Sequence, residues 1–362
     1  VNERVLEREC VDIAARISCC AATGSRPHHL LVGPCGVGKS TALASIVDKV
    51  AAAVHADALL IVKLAPDGYG IASYRDLLAE IVWAIGGRAI DRRGTVWELQ
   101  ERVQAAAGDR AVLLVIDNLD RVFDRIGGNP QMDGGGGQGA FRGWIETWEQ
   151  AMILGSASTV SDWFRRRDYP WFGSFNIVAV DPFTAAQARD YLARMADGNG
   201  DLELAAAVRS AAGRAACDAL YGYFGGIPRH WAMLGRAVTA RMLLADPDSA
   251  VGAVCDHLVP YHRMVFARMA PGQQRLLHEL ALADEPLTVT ELARRLGVTN
   301  QSAATTLGRM SAARIVQADK PVGADRRRTW YAIADRLLAE QVRYLSGRGV
   351  RKGRVPIQSG AI

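Results

Sequence analysis

The sequence has no charge-free apolar run of about 18 residues, so it offers no membrane-spanning helix. Its first residues, Val1-Asn2-Glu3-Arg4-Val5, lack the basic-then-apolar layout of a secretory signal. A cytoplasmic location is the expectation. Its six cysteines (Cys10, Cys19, Cys20, Cys35, Cys217, Cys255) form no C-x-x-C pair, which argues against both structural zinc and a disulfide framework. Most of the chain also lacks a charge bias. Residues 1–270 hold 28 Lys/Arg against 30 Asp/Glu, whereas residues 271–362 hold 15 against 8. The basic character belongs to the C-terminal quarter and points to an anionic partner there. The remaining composition, 49% hydrophobic and 22% charged, is that of a globular protein. The 362 residues suffice for two or three domains.

One segment carries recognisable chemistry. Gly33-Pro34-Cys35-Gly36-Val37-Gly38-Lys39-Ser40 satisfies G-x-x-x-x-G-K-[ST]. The apolar run His29–Val32 before it reads as a buried strand, and Thr41–Val47 after it as a helix. Gly36 and Gly38 let backbone N–H groups curl around phosphate oxygens with no Cβ in the way. The positive end of the following helix faces the same anion. Lys39 is expected to reach the β- and γ-phosphates of ATP, and the Ser40 hydroxyl to ligate Mg²⁺. Cys35 lies inside the loop, where it is either a filler or a thiol of lowered pKa; the filler is the commoner case.

The second half of such a site follows an apolar strand, Ala111–Ile116, which ends in Asp117-Asn118-Leu119-Asp120. A continuous apolar run of this kind suits a strand buried on both faces of a parallel sheet. A carboxylate at its C-terminal end sits where open α/β sheets bind ligands. Asp117 is therefore the expected partner of Mg²⁺. Asp120 is the nearest further carboxylate; it either orients water or pairs with Arg121. Further strands are expected at Leu59–Leu64, Met152–Ser156 and Phe175–Val180, with helices at Tyr74–Ile85 and Val96–Ala107. The glycine-rich stretch Gly127–Gly139 cannot bury a core and reads as a mobile loop. It is either a variable surface loop or one ordered by a partner, the former being commoner.

The phosphate loop, "LLVIDNLDRVF" at 113–123 and "MILGSAS" at 152–158 resemble AAA+-related NTPases. More narrowly, they resemble the archaeal-type and STAND P-loop ATPases, a group with origin-recognition-like and prokaryotic regulatory or defence members. The resemblance implies the additional-strand class of P-loop fold, with five parallel strands in the order 5-1-4-3-2. It implies that Ser156 is a polar sensor at the end of the fourth strand. Many members put Glu directly after the acidic residue; here Asn118 stands there, which favours slow hydrolysis or a switch. "DPFTAAQARDYL" at 181–192 resembles the entry to the group's helical lid, with Thr184 as a cap. "FGGIPRHWAML" at 224–234 resembles its G-G-x-P-R segment: Pro228 opens a lid helix, and Arg229 projects toward the γ-phosphate. Arg165-Arg166-Arg167 is either an arginine finger acting on a neighbouring copy or a solvated basic run.

The C-terminal quarter reads as a winged helix. A helix at Gln273–Ala283 is followed by "TVTELARRLG" at 288–297 and by a helix that Asn300 caps. Strands at 315–318 and 329–333 flank the basic hairpin "DKPVGADRRR". On double-stranded DNA, Asn300, Gln301, Ser302, Thr305, Thr306 and Arg309 would face the major groove. Arg326, Arg327 and Arg328 would meet the backbone or the minor groove. The alternative is a winged helix that docks a protein. The expected organisation is an NTPase core at 1–180, a lid at 181–270, a winged helix at 271–345 and a disordered basic tail at 346–362. The expected function is an ATP-binding, slowly hydrolysing switch acting on DNA, able to form homo-oligomers. The alternative is a non-hydrolysing scaffold in a defence or signalling complex with a protein effector.

Overall fold

The computed structural model describes residues 2–65, 70–86, 93–127, 137–246, 249–257, 266, 269–283, 285–312, 315–318 and 328–346. They fall into two compact units, Val1–Pro182 and Phe183–Ile362.

The first unit is built on a five-stranded sheet of β1 (His28–Val32), β2 (Leu59–Lys63), β3 (Ala111–Ile116), β4 (Ala151–Ala157) and β5 (Phe175–Ala179). The strand order is β2-β3-β4-β1-β5 and every pairing is parallel. Read from the other edge this is 5-1-4-3-2, as the resemblance implied. All six residues of β3 are buried. Val112, Leu114 and Ile116 join a core on one face, and Ala111, Leu113 and Val115 a core on the other. This alternation between two covered faces is why the run carries no polar residue. One face is covered by helices Tyr74–Gly86, Val96–Ala107, Leu119–Gly127 and Gly137–Trp148, with Phe123, Phe141 and Trp171 packed together. The opposite face is covered by Asn2–Thr23 and Lys39–Ala53. Register brings the ends of three strands together: Leu31 lies beside Ser156, and Ile116 beside Gly155.

Three features depart from the sequence reading. The N-terminal helix Asn2–Thr23 was not foreseen; its stripe Cys10, Ile13, Ala14 and Ile17 is buried at helical spacing. The stretch 127–139 is helical at both ends, since Gly127 closes one helix and Gly137 opens the next. Gln138 is buried there and donates to the Phe123 carbonyl at 2.5 Å, which ties the two helices together. The intervening residues 128–136, on which the mobile-loop expectation mostly fell, lie outside the described residues. Third, the winged-helix sheet gains a strand too short for any periodicity to reveal.

That sheet belongs to the second unit. Helices Ala185–Gly198, Leu202–Arg209, Ala211–Phe224, Pro228–Ala237 and Ala240–Ala245 surround Leu192, Leu220, Phe224, Trp231 and Leu234. Thr184 caps the first of them in a capping box with Gln187, as its place before the helix suggested. Helix Pro271–Leu282 then leads into β6 (Leu287–Thr288), helix Val289–Leu296, helix Asn300–Ala312, β7 (Val316–Ala318), β8 (Trp330–Ile333) and helix Arg336–Leu345. The strands form an antiparallel sheet in the order β6-β8-β7. Glycine closes the second of these helices as expected, with Gly297 in the left-handed region at φ 67°. The cap of the next one differs. The Thr299 hydroxyl accepts from the Ser302 N–H at 3.2 Å, and Asn300 is already the first helical residue. Among the described residues no helix is long and apolar enough to cross a membrane. The tail beyond 346 and the wing residues 319–327 lie outside the described residues.

Candidate nucleotide site and nucleic-acid interface

The phosphate loop is pinned at its start. The Gly33 N–H donates to the Ala157 carbonyl at 3.2 Å, and the Val180 N–H to the Val32 carbonyl at 2.7 Å. A Cβ on Gly33 would lie 2.3 Å from the Val180 carbonyl oxygen, so no other residue fits between the two strand ends. Gly36 and Gly38 sit at φ 81° and 106°, which side chains rarely adopt. Pro34 accepts from the Val37 N–H at 3.3 Å, Val37 is buried and Cys35 is exposed. Helix Lys39–Ala53 begins with no side-chain cap and no acidic residue in its first turn. Helices starting after Thr95, Thr184, Asp201 and Ser210 are all capped by a side chain. The uncapped end presents its N–H groups and positive dipole to an anion. Lys39 is buried and donates to the Gly33 and Pro34 carbonyls at 2.7 and 3.0 Å, so its ammonium is held at the loop. Thr41 follows Ser40 in the helix and is exposed.

The acidic side of the site is organised around Asp117. Its Oδ2 accepts from the Ser40 hydroxyl at 2.6 Å. Its Oδ1 accepts from the Ser156 hydroxyl and, at 3.1 Å, from the Asn118 N–H. One oxygen is thus fixed by the sheet while the other meets the loop. Ser156 is fully buried at the end of β4, and its oxygen also accepts from the Asn118 N–H at 2.9 Å. Asn118 adopts φ 54°, a left-handed conformation that asparagine tolerates better than glutamate does. Ser40 and Asp117 together form a hard oxygen pair of the type that holds Mg²⁺ beside a nucleotide.

Asp120 has a different environment. It is fully buried in the first turn of helix Leu119–Gly127. One carboxylate oxygen accepts from the Arg121 N–H at 2.9 Å and the other from the Ser158 N–H at 3.1 Å. Both carboxylate oxygens are thus held by backbone amides, one of which anchors the chain leaving β4. Sequence reasoning missed Ser158, because a backbone donor leaves no residue signature. It also missed Gly155, where a Cβ would come within 2.9 Å of Leu119.

In the second unit the G-G-x-P-R segment is tightly built. Gly225 is at φ 61°, and a Cβ on Gly226 would meet the Phe183 carbonyl oxygen at 1.9 Å. The Phe183 N–H donates to the Gly226 carbonyl at 2.7 Å, and the Tyr221 hydroxyl to the Phe183 carbonyl at 2.7 Å. Pro228 opens its helix as expected, and Arg229 follows it on an exposed position. In the basic run, Arg166 pairs with Asp168 at 2.5 Å and stacks over Tyr169, as a surface ion pair does.

The third helix of the winged module buries Ala303, Leu307 and Met310. That spacing turns Asn300, Gln301, Ser302, Thr305 and Arg309 outward, with Thr306 at the margin. Thr305 and Thr306 bond back to the Gln301 and Ser302 carbonyls, both at 2.9 Å. Arg328 is exposed; Arg326 and Arg327 fall outside the described residues.

Residues 22–140 match the AAA domain family, and residues 269–328 match the MarR family. The chain joins an AAA domain to a MarR-type winged helix. Among solved structures, a Walker-type ATPase of Pyrococcus abyssi is similar over 92% of this chain and 95% of that one, with 14% identity and a TM-score of 0.61. The Aeropyrum pernix ORC1 protein, solved in complex with DNA, is similar over 92% and 91%, with 16% identity and a TM-score of 0.51. The Aeropyrum pernix ORC2 protein, solved in ADPNP-ADP complexes, is similar over 94% and 93%, with 14% identity and a TM-score of 0.50. At these identities the likeness is one of fold. No curated protein matches the sequence.

Proposed function

We propose that the chain binds Mg-ATP at the loop Gly33–Thr41 and couples nucleotide state to DNA binding by its winged helix. The observation that carries this reading is the array Ser40–Asp117–Ser156 set against an uncapped, lysine-bearing helix start. When bound, Mg²⁺ would neutralise phosphate charge, with Ser40 and Asp117 holding it. Lys39 would leave the loop carbonyls for the phosphates. Ser156 fixes the orientation of Asp117 and reports on the occupant of the loop. Arg229 is assigned to the γ-phosphate, so that a lid formed by 181–270 closes on ATP and releases after hydrolysis. Slow hydrolysis fits a segment in which Asn118 replaces the usual glutamate and both Asp120 oxygens accept backbone N–H groups. The DNA reading is supported by the outward face of helix Asn300–Ala312 and by the basic C-terminal quarter.

A fluorescent-ATP titration with and without Mg²⁺, on the parent and on Lys39→Ala, tests the site. Loss of the ammonium should weaken binding by at least tenfold. Equal affinity in the two proteins refutes the assignment. No DNA binding by the parent in any nucleotide state, at low salt, moves the reading to a protein-docking scaffold.

A further inference from the structure

The last described helix of the second unit belongs to two cores at once. Leu337 packs into the helical core with Trp231 and Leu234. Leu338 and Val342, on the adjoining face, pack into the winged-helix core with Leu276 and Leu307. Near its end, the Tyr344 hydroxyl donates to Asp256 at 2.8 Å and Arg343 donates to the Ala281 carbonyl at 2.9 Å. A shift of this helix must therefore be felt on both sides.

The residue that caps its N-terminus is met by a side chain from the first turn of helix Pro228–Ala237, just after the G-G-x-P-R segment. Asp335 caps the helix, accepting from the Leu337 and Leu338 N–H groups at 2.9 and 3.3 Å. The same Oδ1 lies 3.2 Å from Nε2 of His230. His230 is only 4% exposed, and its Nδ1 lies 2.9 Å from the Phe224 carbonyl oxygen. A carbonyl and a carboxylate only accept, so the ring is the donor in these contacts. The imidazole thus spans from the end of one lid helix to the cap of the closing helix, directly beside Arg229 in sequence. A buried polar group with two fixed partners moves with them, because losing either leaves it unsatisfied.

We propose that the His230–Asp335 contact transmits displacement of residues 225–230 to helix Arg336–Leu345 and through it to the winged helix. His230 is a positioning residue in this scheme. The inference rests on the reading above only for what displaces the segment.

Hydrogen exchange on the full chain tests it in two arms. The first needs no nucleotide. His230→Phe keeps a ring in the core but cannot hold Asp335, so the Leu337 and Leu338 amides should exchange about fivefold faster, the effect of a weakened cap. His230→Gln, which keeps one donor, serves should the Phe variant fold poorly, and should show a smaller increase. Exchange at 337–338 within twofold of the parent in both folded variants, about the scatter of such rates, overturns the link. The second arm adds ATP, with its affinity measured separately. The parent should change exchange at 225–231 and at 336–345, whereas His230→Phe should respond at 225–231 alone and bind ATP as the parent does. A response in the variant that still reaches 336–345 overturns the transmission. So does a parent response confined to 225–231. A parent that binds ATP without any response at 225–231 refutes the role given to Arg229 and leaves the first arm to decide the link.

Discussion

Asp120 is the residue on which a catalytic and a structural role make opposite predictions. Replace it by asparagine. The carboxylate is fully buried, and each oxygen accepts a backbone N–H, from Arg121 and from Ser158. Asparagine keeps one acceptor and turns the other into a donor. Whichever way the amide faces, one backbone N–H loses its acceptor and confronts an NH₂. A hydrogen bond to a charged group contributes about 1.5–3 kcal/mol, and a stranded buried donor costs about 1–3 kcal/mol. The lost favourable charge in the first helical turn adds a few tenths. Relief of burying a charge works against these losses. The net expectation is destabilisation by about 2–4 kcal/mol. In a unit of this size that lowers the melting midpoint by roughly 4–16 °C.

The assay pairs thermal unfolding with steady-state phosphate release, the latter taken well below the variant's midpoint and normalised to folded protein. A structural Asp120 loses stability and retains turnover within about tenfold, whereas a proton-transfer group loses roughly 10²–10⁴-fold in rate. A variant that melts within 2 °C of the parent, less than the shift expected of about 1 kcal/mol, and releases phosphate a hundredfold more slowly would refute the reasoning. Water activation would then return to Asp120.

Three further outcomes are expected. Burial, aided by the charge of Arg16, lowers the His29 pKa to about 4; burial, then the charge of His29, does the same for His28. The unfolded chain takes up these protons near pH 6.5 and the folded chain does not. Stability should therefore fall as pH drops from about 6.5 to 4, by up to about 3 kcal/mol per histidine, and urea midpoints of His29→Leu should fall less steeply than those of the parent. Gly33→Ala should unfold the phosphate loop or abolish ATP binding, because its Cβ would lie 2.3 Å from the Val180 carbonyl oxygen; retained affinity in titration would contradict that geometry. Replacing Arg326, Arg327 and Arg328 with alanine should reduce the log–log salt slope of DNA binding by up to about 2.7, with ATP affinity unchanged; an unaltered slope removes the wing from the interface.

The shape of the loop at 33–40 was legible because its pattern is local. Glycines at the positive-φ positions, the lysine and the hydroxyl all lie within eight consecutive residues. The sheet was legible because strands buried on both faces are written as apolar runs, unbroken at 111–116 and over 151–154 of the fourth strand. Contacts that depend on backbone atoms far apart in sequence were not. Nothing in Asp120 announces that it accepts from Ser158, or in Gly226 that it lies against Phe183. Thr299 was passed over for Asn300 as a cap because both are good capping residues and only the path of the chain chooses between them. β6 has two residues and no period to read. The N-terminal helix was missed although its apolar stripe is regular; charged residues between the stripes lowered its local hydrophobicity.

The geometry of 117–120 has a consequence for how the molecule would work. Binding a nucleotide needs a cradle, a cation and an oriented carboxylate, and the arrangement supplies each: glycines 33, 36 and 38, Lys39, and Asp117 held by Ser156. Hydrolysis needs one thing more, a group that draws a proton from water or places it in line. The position after Asp117 bears an asparagine at φ 54°, and glutamate there would add the strain of a left-handed backbone to its own placement. The next carboxylate is committed to two amides. On the proposed reading, strong holding groups beside Asn118 and an Asp120 bonded to two amides would favour residence of a bound nucleotide over turnover. The time spent in the ATP-bound state would then be set by whatever supplies the missing group, whether a neighbouring copy or a partner. This argues for measuring phosphate release across protein concentration: a rate per molecule that rises with concentration assigns the missing group to a second copy, and a flat rate shows that a second copy does not supply it.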